Sequence, residues 1–361
     1  MTPLPSPPLI ETTALEKHFP TARSLKQVLR SQRPVVHAVD DVDIRLHPGE
    51  SVGLVGESGS GKTTIGRLLL KLTEPTSGAI LFNGHRLDTL RGPALRRFRQ
   101  QAQLVFQNPF DAINPRFTIR ATLAEPLINT RIPRAEHDAR IDDALRLVHL
   151  GDPARWLDKR PSELSSGQLQ RIVLARALVV RPTFLVADGP VSMLDVSVRA
   201  GILNLMRELR DRLGLTALTI SHDLTLVKYV CARTLVIYLG RVVEDGPTRD
   251  VVTNPGHPYT RALIKAVPRP HTSQSRDPLP IHGGLGDPIN PPSGCRLRDR
   301  CPHAFARCAA ETPTLREIAP GHRRPAISTP PQAELQHVAT PAAIWRLHPL
   351  PRVEMCYSGV S

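Results

Sequence analysis

Up to about residue 250, short apolar runs alternate with stretches whose apolar residues recur at helical spacing. Residues 39–44 and 51–55 form two such runs, closed by HPGE and GESGSG, and predict strands. Residues 65–72 follow at helical spacing. From about 112 to 180 the pattern is mostly amphipathic helix, as in IDDALRLVHL, with breaks at GDP and RPSEL. Apolar strands return at 183–187, 217–221 and 234–238, separated by helical stretches such as RAGILNLMRELRDRL. Strands that alternate with helices predict an α/β fold with a mainly parallel sheet covered on both faces. The block at 112–180 then forms an inserted helical lobe.

Past residue 255 the composition changes. Residues 268–292 are dense in Pro, Gly, Ser and Asp and read as a loop-rich linker. A cluster of Cys295, Cys301 and Cys308 follows, and beyond Gly321 a Pro/Ala/His-rich sequence shows no clear period. The expected organisation is a main domain over 1–255, a small extension over 256–330 and a flexible tail over 331–361. No repeat at solenoid spacing is present.

With 361 residues, 40% of them hydrophobic, the chain is long enough to bury a substantial core. Its net charge of +14 is carried largely by Arg, since only seven of 47 basic residues are Lys. Such charge favours an acidic partner. The basic residues are scattered, however, and aromatics make up only 4%, so no nucleic-acid partner is expected. The N-terminal MTPLPSPPLIETTALEKHF lacks a basic segment ahead of an apolar stretch, and no window approaches a membrane span. A cytoplasmic protein is expected. Five cysteines, an odd number, argue against a secreted disulfide framework and leave metal ligation or reduced thiols.

The strongest chemical signal is GESGSGKT, which fits G-x-x-x-x-G-K-[ST] and lies between a predicted strand and a predicted helix. Glycines let successive N–H groups turn inward around phosphate oxygens, and the helix adds its positive end. Candidate nucleotide-binding residues are Gly56, Glu57, Ser58, Gly59, Ser60, Gly61, Lys62, Thr63 and Thr64. Lys62 is placed to reach the β and γ phosphates and Thr63 to ligate Mg²⁺. Downstream, VFQNP contains Gln107, RPSELSSGQLQRIVLARAL opens a helix at Ser165, FLVAD supplies Asp188, SMLD ends at Asp195 and TISHDL contains His222. Taken in this order, the set resembles the ATP-binding subunits of ABC transporters.

That resemblance implies a P-loop, a Q-loop glutamine (Gln107), a signature (Leu164, Ser165, Ser166, Gly167 and Gln168), a Walker B aspartate (Asp188), a D-loop ending at Asp195 and a switch histidine (His222). Mg²⁺ would be held by Thr63, Gln107 and Asp188, with Gln107 and His222 in catalytic positions. Phe19 in EKHFP falls where the family stacks an aromatic on adenine; by itself it is equally a core or surface Phe. ATP would be clamped between one chain's P-loop and the signature of a second chain. Read from the residues, Ser165, Ser166 and Gly167 open a helix whose N-terminal groups suit a phosphate, although LSSGQ alone could simply be a helix cap.

Two positions depart from the family pattern. Where the resemblance implies a glutamate that polarises the attacking water, the chain has Gly189, so the site built on its own P-loop lacks the general base. Such a loss lowers rates by about 10²–10⁴-fold. Ser166 replaces a glycine, a milder change. The expectation is a chain that binds Mg-ATP and hydrolyses it slowly, either as the degenerate half of a heterodimer or as a non-hydrolysing regulatory or structural subunit.

GHPYTRALIKAVPRP, INPPSGCRLRDRCPHAFARC and the upstream GRVVEDGPTRDVV resemble the dipeptide, oligopeptide and nickel importer subfamily. This implies a second ATP-binding subunit, two membrane permeases, an extracytoplasmic solute-binding protein and a peripheral position at the cytoplasmic membrane face. The permeases and binding protein select the cargo. In the subfamily a fourth Cys completes a set resembling iron–sulfur ligands, but here GHRRPAIS puts Ala326 at that place, with His322 or Cys356 as off-position substitutes. A 4Fe–4S cluster on Cys295, Cys301 and Cys308 is one expectation, and reduced thiols are the other. A soluble ABC protein acting on DNA or ribosomes would need tandem ATPase halves or a long coiled-coil insertion, and neither is present.

Overall fold

The computed structural model describes residues 7–21, 34–266, 281–284 and 286–326. In chain order, β1 (Ile10–Pro20), β2 (Val35–Val42), β3 (Arg45–Leu46) and β4 (Ser51–Val55) precede α1 (Lys62–Leu69). Next come β5 (Ser77–Phe82), β6 (His85–Arg86), α2 (Gly92–Gln101) and β7 (Ala102–Val105). Four helices, α3 (Ile119–Asn129), α4 (His137–Leu147), α5 (Ala154–Leu157) and α6 (Ser166–Leu178), lead to β8 (Phe184–Asp188). After them lie α7 (Val196–Leu213), β9 (Thr216–Ser221), α8 (Leu224–Val230), β10 (Arg233–Tyr238) and β11 (Arg241–Pro247). Last are α9 (Thr248–Thr253), α10 (Pro258–Ala266), α11 (Arg307–Ala310), β12 (Thr314–Ala319) and β13 (His322–Ala326).

The main sheet has eight strands in the order β12-β13-β11-β10-β4-β9-β8-β7. From β10 to β7 every pairing is parallel, whereas β11, β13 and β12 add an antiparallel edge. The run FLVA in β8 is apolar throughout because its side chains divide between two cores. Phe184 and Val186 pack with α1, while Leu185 and Ala187 pack with the helical lobe. A strand covered on both faces needs this continuous pattern. Each large side chain so buried contributes about 1.5–3 kcal/mol.

The expected helical lobe is built by α3, α4, α5 and α6. Its breaks fall where GDP and RPSEL stand, ahead of α5 and α6. Thr118 caps α3 by accepting the Ala121 N–H.

A second, antiparallel sheet in the order β2-β1-β5-β6, with β3 also on β1, was foreshadowed only by the run at 39–44. The register of β1 shifts between Thr13 and Glu16 and again between Leu15 and Lys17, which breaks the two-residue alternation in IETTALEKHFP.

Strand structure also continues past Gly321, where no period was evident. β13 pairs with β12 along its length and with β11 at Asp245 and Arg323, whose side chains also form an ion pair. Beneath the hairpin, fully buried Glu244 accepts the Gly256 and His257 N–H groups at 2.7 and 3.1 Å and bonds His322 Nε2 at 2.7 Å. The expected tail at 331–361 lies outside the described residues.

Candidate nucleotide-binding site

The carboxyl ends of the adjacent strands β4, β9 and β8 open into one cleft, with Val55 beside Ser221 and Ile220 beside Asp188. Crevices at this end of a parallel sheet are where such folds bind ligands. The loop 56–61 leaves β4 and enters α1, whose N-cap Gly61 provides no side-chain cap. The first intrahelical bond there runs from Ile65 N–H to Gly61 O at 2.9 Å, so the N–H groups of Lys62, Thr63 and Thr64 precede the ladder. All three residues line the cleft. Unpaired donors at a helix start suit an anion.

The cleft, about 910 Å³, brings Phe19, Lys62, Thr63, Gln107, Asp188 and His222 together from five separate places in the chain. Its size suits a nucleotide. The Lys62 ammonium donates to Glu57 O at 2.6 Å, Gly56 O at 2.8 Å and Ser60 Oγ at 3.3 Å. Burial holds its pKa below the ordinary lysine value, against the opposing pull of Asp188 and Glu57. Phe19 is 40% exposed, with the Lys17 ammonium 5.0 Å from its ring centre.

Thr63, Gln107 and Asp188 supply one hydroxyl, one amide and one carboxylate to the same cleft, oxygen donors of the kind Mg²⁺ takes.

Over residues 39–192 the chain matches the family described as ABC transporter, and over 243–308 the oligopeptide/dipeptide transporter C-terminal region. It is 46% identical over 319 residues to a protein named as a putative peptide import ATP-binding protein from Brucella ovis, covering 87% of this chain and 96% of that one. The chain belongs to the ABC transporter ATP-binding family.

A dipeptide transport ATP-binding protein of Haemophilus influenzae is 42% identical over 317 residues, 87% of this chain and 94% of the relative. Among solved structures, an ABC cassette described as a post-hydrolysis dimer bound to ADP and Pi superposes with a TM-score of 0.57 at 25% identity, covering 66% of this chain and 99% of that one. A subunit of a Clostridium perfringens ABC transporter gives 0.59 at 25% identity, over 69% and 92%. An ABC ATPase hydrolyses Mg-ATP, and the donors just described fit both components.

The backbone at Gly189, which follows Asp188 at the end of β8, is left-handed and held by hydrogen bonds. Gly189 has φ +55°, donates its N–H to Ile220 O at 2.9 Å and accepts from Ser192 N and Oγ at 3.1 and 2.9 Å. A Cβ there would stand 3.1 Å from both Gln107 Cγ and Ser192 Oγ. A side chain at this position is therefore crowded as well as strained, the left-handed region alone costing about 1–2 kcal/mol.

The signature residues do not line the P-loop cleft of their own chain. Ser165 and Gln168 cap α6 reciprocally: Ser165 Oγ accepts Gln168 N–H at 3.3 Å and Gln168 Oε1 accepts Ser165 N–H at 3.0 Å. Ser165 and Ser166 are exposed, and Gly167 lies against α7, where a Cβ would come 2.6 Å from Val198 Cγ1. Asp195, also exposed, is the N-cap of α7 but makes no side-chain cap bond.

A 4Fe–4S cluster finds no support among the described residues. Among the described residues no group of three His, Cys, Asp or Glu side chains is arranged to hold a metal ion. Cys295 and Cys301 pack on the apolar cluster around Tyr238 and Tyr259, and burial pushes both thiols up. His322 is committed to Glu244, and Cys356 lies outside the described residues.

Sequence reasoning missed what stands behind the P-loop. Tyr259 and Arg300 both bond to Glu57, across 202 and 243 positions. No local pattern could have signalled pairings so distant.

Proposed function

We propose that this chain is the ATP-binding subunit of an importer for peptides, or for nickel-class solutes, and that hydrolysis at its own P-loop site is strongly slowed. The single observation carrying this reading is one cleft that holds Lys62, Thr63, Gln107, Asp188 and His222 but has Gly189 where the general base belongs. The peptide import names of its relatives and the match to the oligopeptide/dipeptide region support the substrate class. No described helix is long and apolar enough to cross a membrane, so on this reading two permease subunits supply the path and a solute-binding protein delivers the cargo. The chain sits peripherally at the cytoplasmic membrane face.

In the mechanism we infer, Lys62 and the N–H groups opening α1 hold the β and γ phosphates, and Thr63, Asp188 and Gln107 would hold Mg²⁺, which would neutralise phosphate charge. Phe19 stacks on adenine. The exposed N-terminus of α6, bearing Ser165, Ser166, Gly167 and Gln168, presents its donors to the nucleotide of a second ATP-binding subunit, and Asp195 lies at the same interface. The dimeric cassette among the structural neighbours supports this pairing. His222 faces the γ-phosphate. Gln107, at the junction of sheet and helical lobe, relays occupancy toward the permease. Residues 1–255 form the nucleotide-binding unit and 256–330 the extension.

Gly189 favours a second reading, an essentially non-hydrolysing regulatory subunit of a heterodimer. Phosphate release decides between them. In both readings the isolated chain binds Mg-ATP and releases phosphate at the level of its Lys62→Ala variant. In the first, a reconstituted complex still requires Lys62 of this subunit for turnover; in the second it does not. Brisk release by the isolated chain, abolished in Lys62→Ala, contradicts both.

A further inference from the structure

The P-loop is braced from behind by the C-terminal extension, and the brace converges on one residue. Glu57 is gripped at three points. Its N–H donates to the Tyr259 hydroxyl at 2.8 Å, its carbonyl oxygen accepts from Lys62 Nζ at 2.6 Å, and its carboxylate takes two bonds from the Arg300 guanidinium at 3.0 and 3.3 Å. Lys62 Nζ also donates to Gly56 O at 2.8 Å, and the Gly56–Glu57 peptide is the one whose N–H Tyr259 holds.

The two bracing residues are themselves fixed. Tyr259, in α10, is fully buried, and its ring lies 4.6 Å from that of Tyr238. Arg300 lies in the cysteine-bearing segment, where Nε donates to His282 O at 3.3 Å and Nη1 to the Tyr238 hydroxyl at 3.4 Å. Its guanidinium also stands 5.6 Å from the Tyr238 ring centre. With side-chain exposures of 10% for Arg300 and 26% for Glu57, this two-pronged pair is shielded compared with ordinary surface ion pairs.

We propose that Tyr259 and Arg300 are positioning residues for the phosphate site, acting through Glu57 to set the Lys62 cradle and so to make ATP affinity depend on the extension. The inference rests on the nucleotide reading above. If the brace is cut, the Glu57 peptide samples other orientations and only a fraction of loops remain competent; apparent affinity falls by that fraction. A competent fraction of about one-tenth gives a tenfold weaker Kd, or about 1.4 kcal/mol.

Calorimetric titration of the full chain with Mg-ATP tests this. Arg300→Gln and Glu57→Ala each weaken binding about tenfold, and Tyr259→Phe about fivefold. The Arg300→Gln/Glu57→Ala double variant is no weaker than about tenfold, because both changes cut one link. Arg316→Ala, on the exposed surface of β12, keeps the parental Kd. Should Arg300→Gln fail to fold, Glu57→Ala and Arg300→Lys carry the test, with Arg300→Lys binding more tightly than Glu57→Ala. Parental affinity in Glu57→Ala, or an additive hundredfold loss in the double variant, overturns the proposal. A parent chain that binds no Mg-ATP overturns the nucleotide reading instead.

Discussion

Placing a carboxylate at position 189 tests the proposed catalytic gap directly. If the missing base lowers the rate by about 10²–10⁴, Gly189→Glu recovers about 3–5 kcal/mol of barrier at 1.36 kcal/mol per tenfold. The gain has an opposing term visible in the backbone. At φ +55°, with a Cβ 3.1 Å from Gln107 Cγ and Ser192 Oγ, the new side chain introduces about 1–2 kcal/mol of strain and makes Gln107 shift. Thermal unfolding should therefore fall by a few degrees while phosphate release rises at least about a hundredfold. Gly189→Ala separates the two effects, since it keeps the strain and lacks the carboxylate: its melting point falls similarly and its rate stays low. Steady-state phosphate release on the purified chain, with Lys62→Ala as background, is the measurement. A Gly189→Glu rate within twofold of the parent would refute the reasoning, and so would a fast parent that depends on Lys62.

Other outcomes follow from the same geometry. Lys62→Ala weakens Mg-ATP binding about a hundredfold or more in calorimetry, because it removes charge-assisted phosphate contacts; near-parental affinity would remove the P-loop assignment. Gly167→Ala forces a methyl toward Val198 Cγ1, so the melting curve should report a loss of about 1–3 kcal/mol from overpacking at the α6–α7 contact. His257 has its pKa lowered to about 3 by burial first and then by Arg324 and Arg261. The folded value lies below the unfolded 6.5, so its stabilising contribution is intact above about pH 6.5 and is lost toward pH 3, by about 1.4 kcal/mol per unit. In urea melts the parent's stability relative to His257→Asn should shrink by about that slope between pH 6 and 5, and a constant difference would contradict it.

The sequence carried the parallel sheet because β4, β8, β9 and β10 are short, apolar and sharply punctuated. It carried the cleft residues because GESGSGKT and FLVAD announce their chemistry locally. It said little about β1, whose register shifts disrupt alternation, or about β13, whose HRRPA is made of residues that look like tail. What places HRRPA is Asp245 and Glu244, nearly eighty positions earlier. The left-handed backbone at Gly189 was equally silent. Sequence showed a glycine there, whereas the fold shows its positive φ and its bonds to Ile220 and Ser192.

The β12–β13 hairpin has a bearing on how the protein can be cut. It covers the outer rail of β11, and the new outermost strand, β12, displays charged Arg316 and Glu317 to solvent. Charged borders of this kind discourage strand-to-strand aggregation. A chain trimmed before Thr312 would lay β11 bare, along with the buried Glu244 carboxylate beneath it, and should precipitate or form higher-order species even with every ATP-site residue in place.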